Sequence, residues 1–410
     1  MHPEDWKEVL LDNVAKRGSG HTPNKDFPEY WHGGIKWVSL ADSSRLDKGL
    51  IAETDKEISV EGLLHSSAVM HPLGTVILSR DAGVGKSGVL ASDMAVSQHF
   101  IAWDCSTSTE LHNWYLYYWL QQRKPEFERV AVGSTIKTIG LPYFKKIKIT
   151  LPPLREQNRI AEALSTWDQA IATTELLLAN AAIQRKALTN RLFIHGRHSD
   201  ITTHGWRFAD LDEFFERVTR RNTIANSNVL TISGTRGLVS QRDYFNKSVA
   251  SENLSGYTLL ERGEFAYNKS YSAGYPMGAI KPLTSHDQGV VSSLYICFRL
   301  RDEVEADADF FRHYFETGML NEGLSGIAQE GARNHGLLNV GVSDFFKLRL
   351  HIPDVTEQRR IADILNMAEQ KELLIAAQLD KLRDEKKALM SQLLTGKRRV
   401  RLPADEAVSA

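Results

Sequence analysis

The chain has 410 residues, of which 42% are hydrophobic and 25% charged, and its formal net charge is −1. The length exceeds that of one average domain, so we expect two or three domains. The sequence has no run of about 18 apolar residues, so no membrane span is predicted. The near-zero charge neither supports nor excludes nucleic-acid binding, because basic residues can still cluster locally.

The first globular domain is predicted over residues 1–153. Short runs such as IKWVSL, GTVILSR and SQHFIAW have strand character and alternate with glycine-rich turns, whereas HNWYLYYWLQQ predicts an amphipathic helix.

The two cysteines of the chain, Cys105 and Cys297, lack the C-x-x-C spacing of a metal or redox site. Both cysteines are expected to be buried, reduced thiols in a cytoplasmic protein.

A long helix is predicted over residues 154–196, directly after Pro152 and Pro153. Apolar residues recur in alternating steps of four and three, which is the pattern of a coiled-coil seam. Thr174 and Arg185 interrupt this seam with polar side chains. The apolar seam positions are Ile160, Leu164, Trp167, Ile171, Leu178, Ala181, Leu188 and Leu192.

The second half of the chain repeats this organisation. A second globular domain is predicted over residues 197–354, a second long helix over 355–396 and a basic-then-polar tail over 397–410. In the second seam the polar interruptions are Glu372 and Lys386. Its apolar positions are Ile361, Leu365, Ala368, Ile375, Leu379, Leu382, Leu389 and Leu393.

The two halves are copies of one unit. Glu156-Gln157 falls on Glu357-Gln358 at a spacing of 201 residues (357 − 156), and Ile160-Ala161 falls on Ile361-Ala362 without a gap. Such self-similarity is the signature of an internal duplication. Because the first helix leads into the second domain and the second helix starts there, pairing along their length requires the helices to be antiparallel.

The segments at the domain ends resemble those of a known family. GSGHTPNKDFPEYWHGGIKWVSLAD, from Gly18, looks like the opening of a target recognition domain, and GSTIKTIGLPYFKKIKITLPPLREQNRIAEAL, from Gly133, resembles the passage into a spacer helix. Together with the duplication they resemble the specificity subunits of type I restriction–modification systems. The second domain departs from the pattern, since Ala332 to His335 replace Ser-Thr-Ile-Lys and the G-x-T-P opening is missing.

The resemblance implies an α+β fold in which two pseudo-twofold-related α/β target recognition domains are separated by two long antiparallel coiled-coil helices. Each domain would recognise one half of a bipartite DNA site, with the helices setting the spacer. Two methyltransferase subunits would dock on the helices and methylate adenine with S-adenosylmethionine, and motor-nuclease subunits would join for cleavage in phage defence. The chain itself would bind no cofactor and no membrane, and would act in the cytoplasm.

Candidate DNA contacts are cationic, amide or hydroxyl side chains near glycine-rich loops, because base edges and phosphates are bound by such groups. RDAGVGKSG, from Arg80, and NKSYSAGYPMG, from Asn268, occupy equivalent places after a strand in the two copies. The candidates in the first domain are Thr22, Lys36, Arg80, Lys86, Ser87 and Lys137. Those in the second are Arg220, Arg221, Arg236, Arg242, Lys269, Tyr271 and Arg333.

Several catalytic motifs are missing from the sequence. RDAGVGKS has Arg80 where a phosphate-binding loop needs its first glycine, and the histidines lack the spacing of a zinc hydrolase. No [ND]-P-P-[YFW] tetrapeptide of an amino-methyltransferase is present. We therefore expect a non-catalytic DNA-recognition subunit. A structural coiled-coil adaptor and a stand-alone DNA methyltransferase or nuclease stay open as alternatives.

Overall fold

The computed structural model describes residues 3–198, 205–234, 236–245, 253–272, 274–330 and 338–401. The chain forms two compact units. The first unit runs to Leu176 and resumes at Ala377, and the second covers Leu177–Ala376. Each unit therefore contains one globular domain and a part of each long helix.

The first unit contains two main sheets and a short clip. A five-stranded sheet has the order β2-β10-β7-β8-β4, a four-stranded sheet has the order β5-β3-β9-β6, and β1 pairs with β11. The strands are β1 (Lys7–Leu10), β2 (Lys16–Ser19), β3 (Trp31–Val38), β4 (Leu50–Ile51), β5 (Lys56–Ile58), β6 (Met70–His71), β7 (Val76–Ser79), β8 (Ser87–Leu90), β9 (Met94–Val96), β10 (Phe100–Asp104) and β11 (Lys148–Leu151).

Short helices surround these sheets, and the core lies between the five-stranded sheet and α3. Trp103 on β10 and Tyr115 on α3 are completely buried. Six consecutive residues of α3 are buried, so its aromatic run packs into the core. The helices are α1 (Leu11–Val14), α2 (Val60–Leu64), α3 (Asn113–Gln122), α4 (Lys124–Val130) and α5 (Leu141–Phe144), with 3-10 turns at Pro28–Tyr30 and Leu40–Ser44.

The long helices α6 (Leu154–His198) and α12 (Val355–Leu393) run antiparallel in each unit. In the first unit Lys386 forms an ion pair with Asp168, and Arg383 with Glu175. Residues later in α6 therefore contact residues earlier in α12, as antiparallel helices require. In the second unit Leu188 and Leu192 join the same apolar cluster as Ile361. The predicted fold class, α+β with two long antiparallel helices, is confirmed. All of the predicted apolar seam residues are buried or half-buried.

The second unit has a central four-stranded sheet of order β13-β20-β17-β18, and four two-stranded pairs. The pairs are β12-β23, β14-β15, β16-β19 and β21-β22. The strands are β12 (Arg207–Asp210), β13 (Phe215–Arg217), β14 (Leu230–Ser233), β15 (Gly237–Ser240), β16 (Thr258–Glu261), β17 (Phe265–Asn268), β18 (Ala279–Pro282), β19 (Gln288–Val291), β20 (Ile296–Leu300), β21 (Gln329–Glu330), β22 (Leu338–Asn339) and β23 (Arg349–Ile352).

The core of the second unit is built from phenylalanines. Phe215 on β13 meets Phe298 at 5.2 Å between ring centroids and Phe311 at 4.8 Å, both edge to face, which is a favoured aromatic geometry. The helices are α7 (Leu211–Phe214), α8 (Gln241–Phe245), α9 (Ala308–Glu316), α10 (Asn321–Ile327) and α11 (Val342–Phe346).

The same two-stranded clip opens both copies. In the first unit β1 pairs antiparallel with β11, with Lys7 opposite Leu151, and in the second β12 pairs with β23, with Arg207 opposite Ile352. The strand that precedes each long helix is thereby tied to the first strand of its own domain. The duplication seen in the sequence is therefore a duplication of structure.

Both cysteines are free and buried, as expected. Burial raises the pKa of Cys105, and that of Cys297, to about 12, which keeps the thiols protonated and unreactive at neutral pH. Among the described residues, every helix is too short or too polar to cross a membrane.

Candidate nucleic-acid interface

The glycine-rich loop of the first unit joins β7 to β8. It closes tightly, since the Ser79 N–H donates to the carbonyl of Lys86 at 2.8 Å and the Gly85 N–H donates back to Ser79 at 3.0 Å. Ala82 (φ 43°) and Gly83 (φ 114°) both have left-handed backbone conformations. Such conformations suit glycine, and a non-glycine residue that adopts one is held there by its surroundings.

This loop lies beside a hairpin turn over residues 132–138. Val132 and Thr138 exchange both backbone hydrogen bonds, at 2.9 and 3.0 Å. Arg80 joins the loop to Ile139, the residue after the turn. Its carbonyl accepts from the Ile139 N–H at 2.9 Å, and its Nε donates to the Ile139 carbonyl at 3.2 Å. Two segments that are about 50 residues apart in sequence therefore form one surface.

A cavity of about 540 Å³ opens between the loop and the hairpin turn, and three lysines line it. Two of them, Lys86 and Lys137, are predicted contacts, and the third, Lys124, was missed. Lys137 is exposed in the turn. Lys124 is the first residue of α4 and forms an ion pair with Asp47 at 2.6 Å. Glu128 also lines the cavity, so cations outnumber anions there, and this excess of positive charge can attract a phosphate.

Two of the predicted residues face inward. Lys86 Nζ donates to the hydroxyl of Ser43 at 2.9 Å, and the residue is half-buried at the cavity wall. Ser87 is completely buried, and its hydroxyl accepts from Gln121 Nε2 at 2.7 Å. Ser87 is thus engaged inside the domain, where it can hold the loop but presents no atom to a DNA duplex.

Thr22 and Lys36 do not line the lysine cavity. The Thr22 hydroxyl donates to Gln98 Oε1 at 2.6 Å. Lys36 Nζ donates to the carbonyl of Ala52 at 2.6 Å and forms an ion pair with Glu53 at 3.1 Å. Both groups are half-buried, and DNA would have to compete with these partners for them.

The basic residues at the start of the second domain differ in what they contact. Arg220 pairs with Glu264 at 2.7 Å and with Glu261 at 3.1 Å, so its charge is neutralised within the domain. Its neighbour Arg221 is exposed. A phosphate contact therefore suits Arg221 better than Arg220.

A second surface forms around the turn between β14 and β15. Arg236 is exposed at this turn, and its guanidinium lies 5.5 Å from the ring centroid of Tyr244. Arg242 is exposed on α8, which follows β15. A guanidinium near an aromatic ring can still donate hydrogen bonds to an acceptor such as a base edge or a phosphate.

The glycine-rich loop of the second unit lies next to this turn. The Tyr275 hydroxyl is 2.9 Å from the carbonyl oxygen of Gly234, so the loop after β17 and the turn of Arg236 contact each other. Tyr271 is 64% exposed on the loop, and Lys269 is half-buried. The structure thus brings Arg236, Lys269 and Tyr271 to one region. Arg333 lies outside the described residues.

Sequence reasoning missed the groups that hold these loops in place. Gln121 on α3 and Lys124 fasten the first loop, and Glu316 and Lys281 fasten the second. A signal was present for the first pair, because QQRK comes directly after the buried aromatic run of α3 and ends that run with polar groups. The arrangement as a whole supplies cations and hydrogen-bond donors. In the described residues it includes no group of three or more acidic, histidine or cysteine side chains that could hold a metal ion.

Residues 3–181 match the family described as the type I restriction modification DNA specificity domain. Among curated proteins, the specificity subunit of the MjaIX type I restriction enzyme of Methanocaldococcus jannaschii is 26% identical over 174 residues. That match covers 41% of this chain and 39% of the relative. The MjaVIII specificity subunit of the same organism is 23% identical over 427 aligned positions, which cover 97% of this chain and 94% of the relative.

A solved structure extends the comparison to the fold. The type I restriction–modification S subunit from M. genitalium has a TM-score of 0.55 and 15% identity, and the match covers 97% of each chain. At this low identity the likeness concerns the fold alone. It includes both globular domains and both long helices.

Proposed function

We propose that this chain is a specificity subunit of a type I restriction–modification system and that it recognises a bipartite DNA sequence on behalf of partner enzymes. The observation that carries the proposal is the duplicated unit. Each copy has the same β-clip, a long helix and one glycine-rich loop flanked by cationic side chains. Two similar readers suit a site that is recognised as two halves along one duplex.

In this proposal the two domains recognise different half-sites. The surroundings of the two loops differ in chemistry. Lys137 lies beside the first loop at a cavity lined by lysines, whereas the second loop presents Tyr271 and lies next to the turn of Arg236. Lysines at a cavity suit phosphates, whereas an exposed arginine and tyrosine can contact base edges. Different residue types around the two loops support different preferred bases.

The long helices would set the spacer between the half-sites and hold the two domains in a pseudo-twofold relation. Methyltransferase subunits would dock on them. Large apolar side chains outside the seam support this part of the proposal, because six of them on α6 and α12 are more than half exposed. They are Leu176, Leu177, Ile183, Met367, Leu373 and Leu374.

The chemistry would be carried by other chains in the cytoplasm. Methyltransferase subunits would bind S-adenosylmethionine and modify adenine, and motor-nuclease subunits would cleave, whereas this chain would bind no cofactor. The proposal rests on the family and on the lack of an amino-methyltransferase tetrapeptide in the sequence. A stand-alone enzyme and a coiled-coil adaptor that never contacts DNA are the alternatives that the following experiment separates.

The test is a gel-shift titration of the full chain, with and without methyltransferase subunits, against a DNA pool that varies at both half-sites. We expect binding that weakens with salt and still prefers one bipartite sequence. Salt dependence without preference would indicate phosphate contacts alone. Absence of binding would favour the adaptor, and stoichiometric S-adenosylmethionine binding to the isolated chain would favour an enzyme.

A further inference from the structure

The helix behind the glycine-rich loop ends in the same way in both units. His112 caps the start of α3, and Asp307 caps the start of α9. Nine residues after these caps stand Gln121 and Glu316, each in the last turn of its helix. In each unit this residue bonds to groups that hold the neighbouring loop.

In the first unit Gln121 reaches both ends of a polar network. Its Nε2 donates to Asp47 Oδ1 at 2.5 Å and to the hydroxyl of Ser87, where the loop enters β8. Asp47 has a left-handed backbone (φ 64°), and its Oδ1 also accepts from the Ser87 N–H at 2.9 Å. Aspartate adopts the left-handed region more readily than most residues when its side chain makes local hydrogen bonds. Gln121 supplies one of the hydrogen bonds to the Asp47 side chain.

In the second unit Glu316 accepts a hydrogen bond from the Tyr275 hydroxyl at 2.7 Å and forms an ion pair with Lys281. Lys281 is only 6% exposed, and its Nζ also donates to the Tyr275 hydroxyl at 2.8 Å and to the Gly234 carbonyl at 2.9 Å. A Cβ at Gly234 would lie 2.9 Å from the Tyr275 ring. This buried network therefore joins the loop, the neighbouring turn and α9.

We propose that Gln121 and Glu316 are positioning residues, each of which fixes the conformation of one recognition loop without contacting DNA. The inference rests on the proposed function. Each residue would affect how well the protein discriminates between sequences at one half-site only. Glu316 acts through Tyr275, and Gln121 acts through Asp47 and Ser87.

The physical reason lies in the difference between affinity and discrimination. Phosphate contacts tolerate a loop that moves, because charge acts over several ångströms. Hydrogen bonds to base edges require donors at fixed distances and angles, so a loosened loop loses discrimination first. Removal of a positioning residue should therefore relax the preferred sequence and leave overall DNA affinity nearly unchanged.

The experiment uses the full chain assembled with its methyltransferase subunits and a DNA pool randomised at both half-sites. The variants are Gln121→Ala, Glu316→Gln and Tyr275→Phe. Tyr275→Phe keeps the ring against Gly234 and removes only the hydroxyl, so it stays informative if Glu316→Gln fails to fold around Lys281. Sequencing of the methylated products gives the preference at every position of the site.

We expect Glu316→Gln and Tyr275→Phe to reduce discrimination about tenfold at positions of one half-site, and Gln121→Ala to do so at the other. Tyr314→Phe is the matched control for the second unit, because its hydroxyl lies on the same helix and accepts from the His351 N–H at 3.2 Å, away from the loop. Gln122→Ala is the control for the first unit. Both controls should keep the wild-type preference.

Equal relaxation of both half-sites by one variant, or a lower melting temperature with an unchanged preference, would overturn the inference. These results differ from a failure of the proposed function. If the wild-type assembly shows no sequence preference, or keeps its preference when this chain is replaced, the chain is not the reader and both conclusions fall.

Discussion

Gln157 and Gln358 make the same two hydrogen bonds in the two copies of the unit. Gln157 Oε1 accepts from the His112 N–H at 2.9 Å while its Nε2 donates to the Pro152 carbonyl at 2.9 Å. Gln358 Oε1 accepts from the Asp307 N–H at 3.1 Å while its Nε2 donates to the Pro353 carbonyl at 3.0 Å. The repeated Glu-Gln pair of the sequence thus joins the start of each long helix to the cap of the helix behind the loop.

Replacement of Gln157 by alanine should destabilise the protein by about 2 kcal/mol, because the half-buried His112 N–H and the Pro152 carbonyl would both lose their partner. Gln157 is completely buried. Urea denaturation followed by circular dichroism would show a lower midpoint for the variant. Gln378→Ala, at an exposed position of α12, is the control and should unfold like the wild type.

One polar interruption of each seam pairs with one of the other seam. Arg185 Nε lies 2.7 Å from Glu372 Oε2, so two residues that break the apolar pattern complement each other. Arg185→Glu and Glu372→Arg should each destabilise the helix pair, and the double exchange should recover about 0.5–1 kcal/mol of coupling. A double-mutant cycle by denaturation measures this value. Additive effects of the two changes would show that the pair contributes nothing.

Lys137→Gln should weaken DNA binding for all sequences alike and lower the slope of log affinity against log salt by about 1. Lys137 is exposed in the hairpin turn, where a phosphate contact is the simplest role. Binding titrations at several salt concentrations measure both quantities. Lys148→Gln, whose lysine pairs with Glu8 at 2.9 Å on the clip, is the control. A changed base preference with an unchanged slope would assign Lys137 to base contact instead.

Stability should fall as the solution is acidified below neutral pH, partly through His313. Burial, together with the nearby Arg312, lowers the pKa of His313 below its ordinary value of about 6.5. The unfolded chain therefore takes up a proton before the folded chain does. The stabilisation is complete above about pH 6.5 and is lost as the pH falls toward the folded-state pKa.

Melting temperatures at pH 7.5 and 5.5 test this linkage. The drop between these pH values should be smaller for His313→Gln than for the wild type, because glutamine does not titrate and can still donate to Asn366. His65→Gln, at an exposed position, should show the wild-type drop. An equal drop in all three proteins would rule out His313 as a source of the pH dependence.

The architecture could be predicted from the sequence because long helices and duplications leave periodic signals. The steps of four and three residues marked the seam, and the spacing of 201 residues aligned the copies. The partners of charged side chains leave no such signal. Arg399 belongs to the predicted basic tail, yet it bonds to Glu156 at 2.5 Å and to Asp5 at 2.7 Å within the first unit.

The candidate interface could be predicted only in part for the same reason. Position after a strand and glycine content identified both loops, but contacts across the fold decide which side chains face outward. Ser87 is buried by Gln121, which stands 34 residues further along the chain, and Arg220 is neutralised by Glu264. Each of these partners is distant in sequence, so a local pattern cannot indicate it.

Exchange of residues 1–153 for the first domain of another specificity subunit, followed by mapping of methylated adenines in a host genome, tests the central claim most directly. Two duplicated readers should act separately, so one half of the methylated sequence should change while the other half is kept. A change in both halves, or methylation of the original sequence unaltered, would contradict the account.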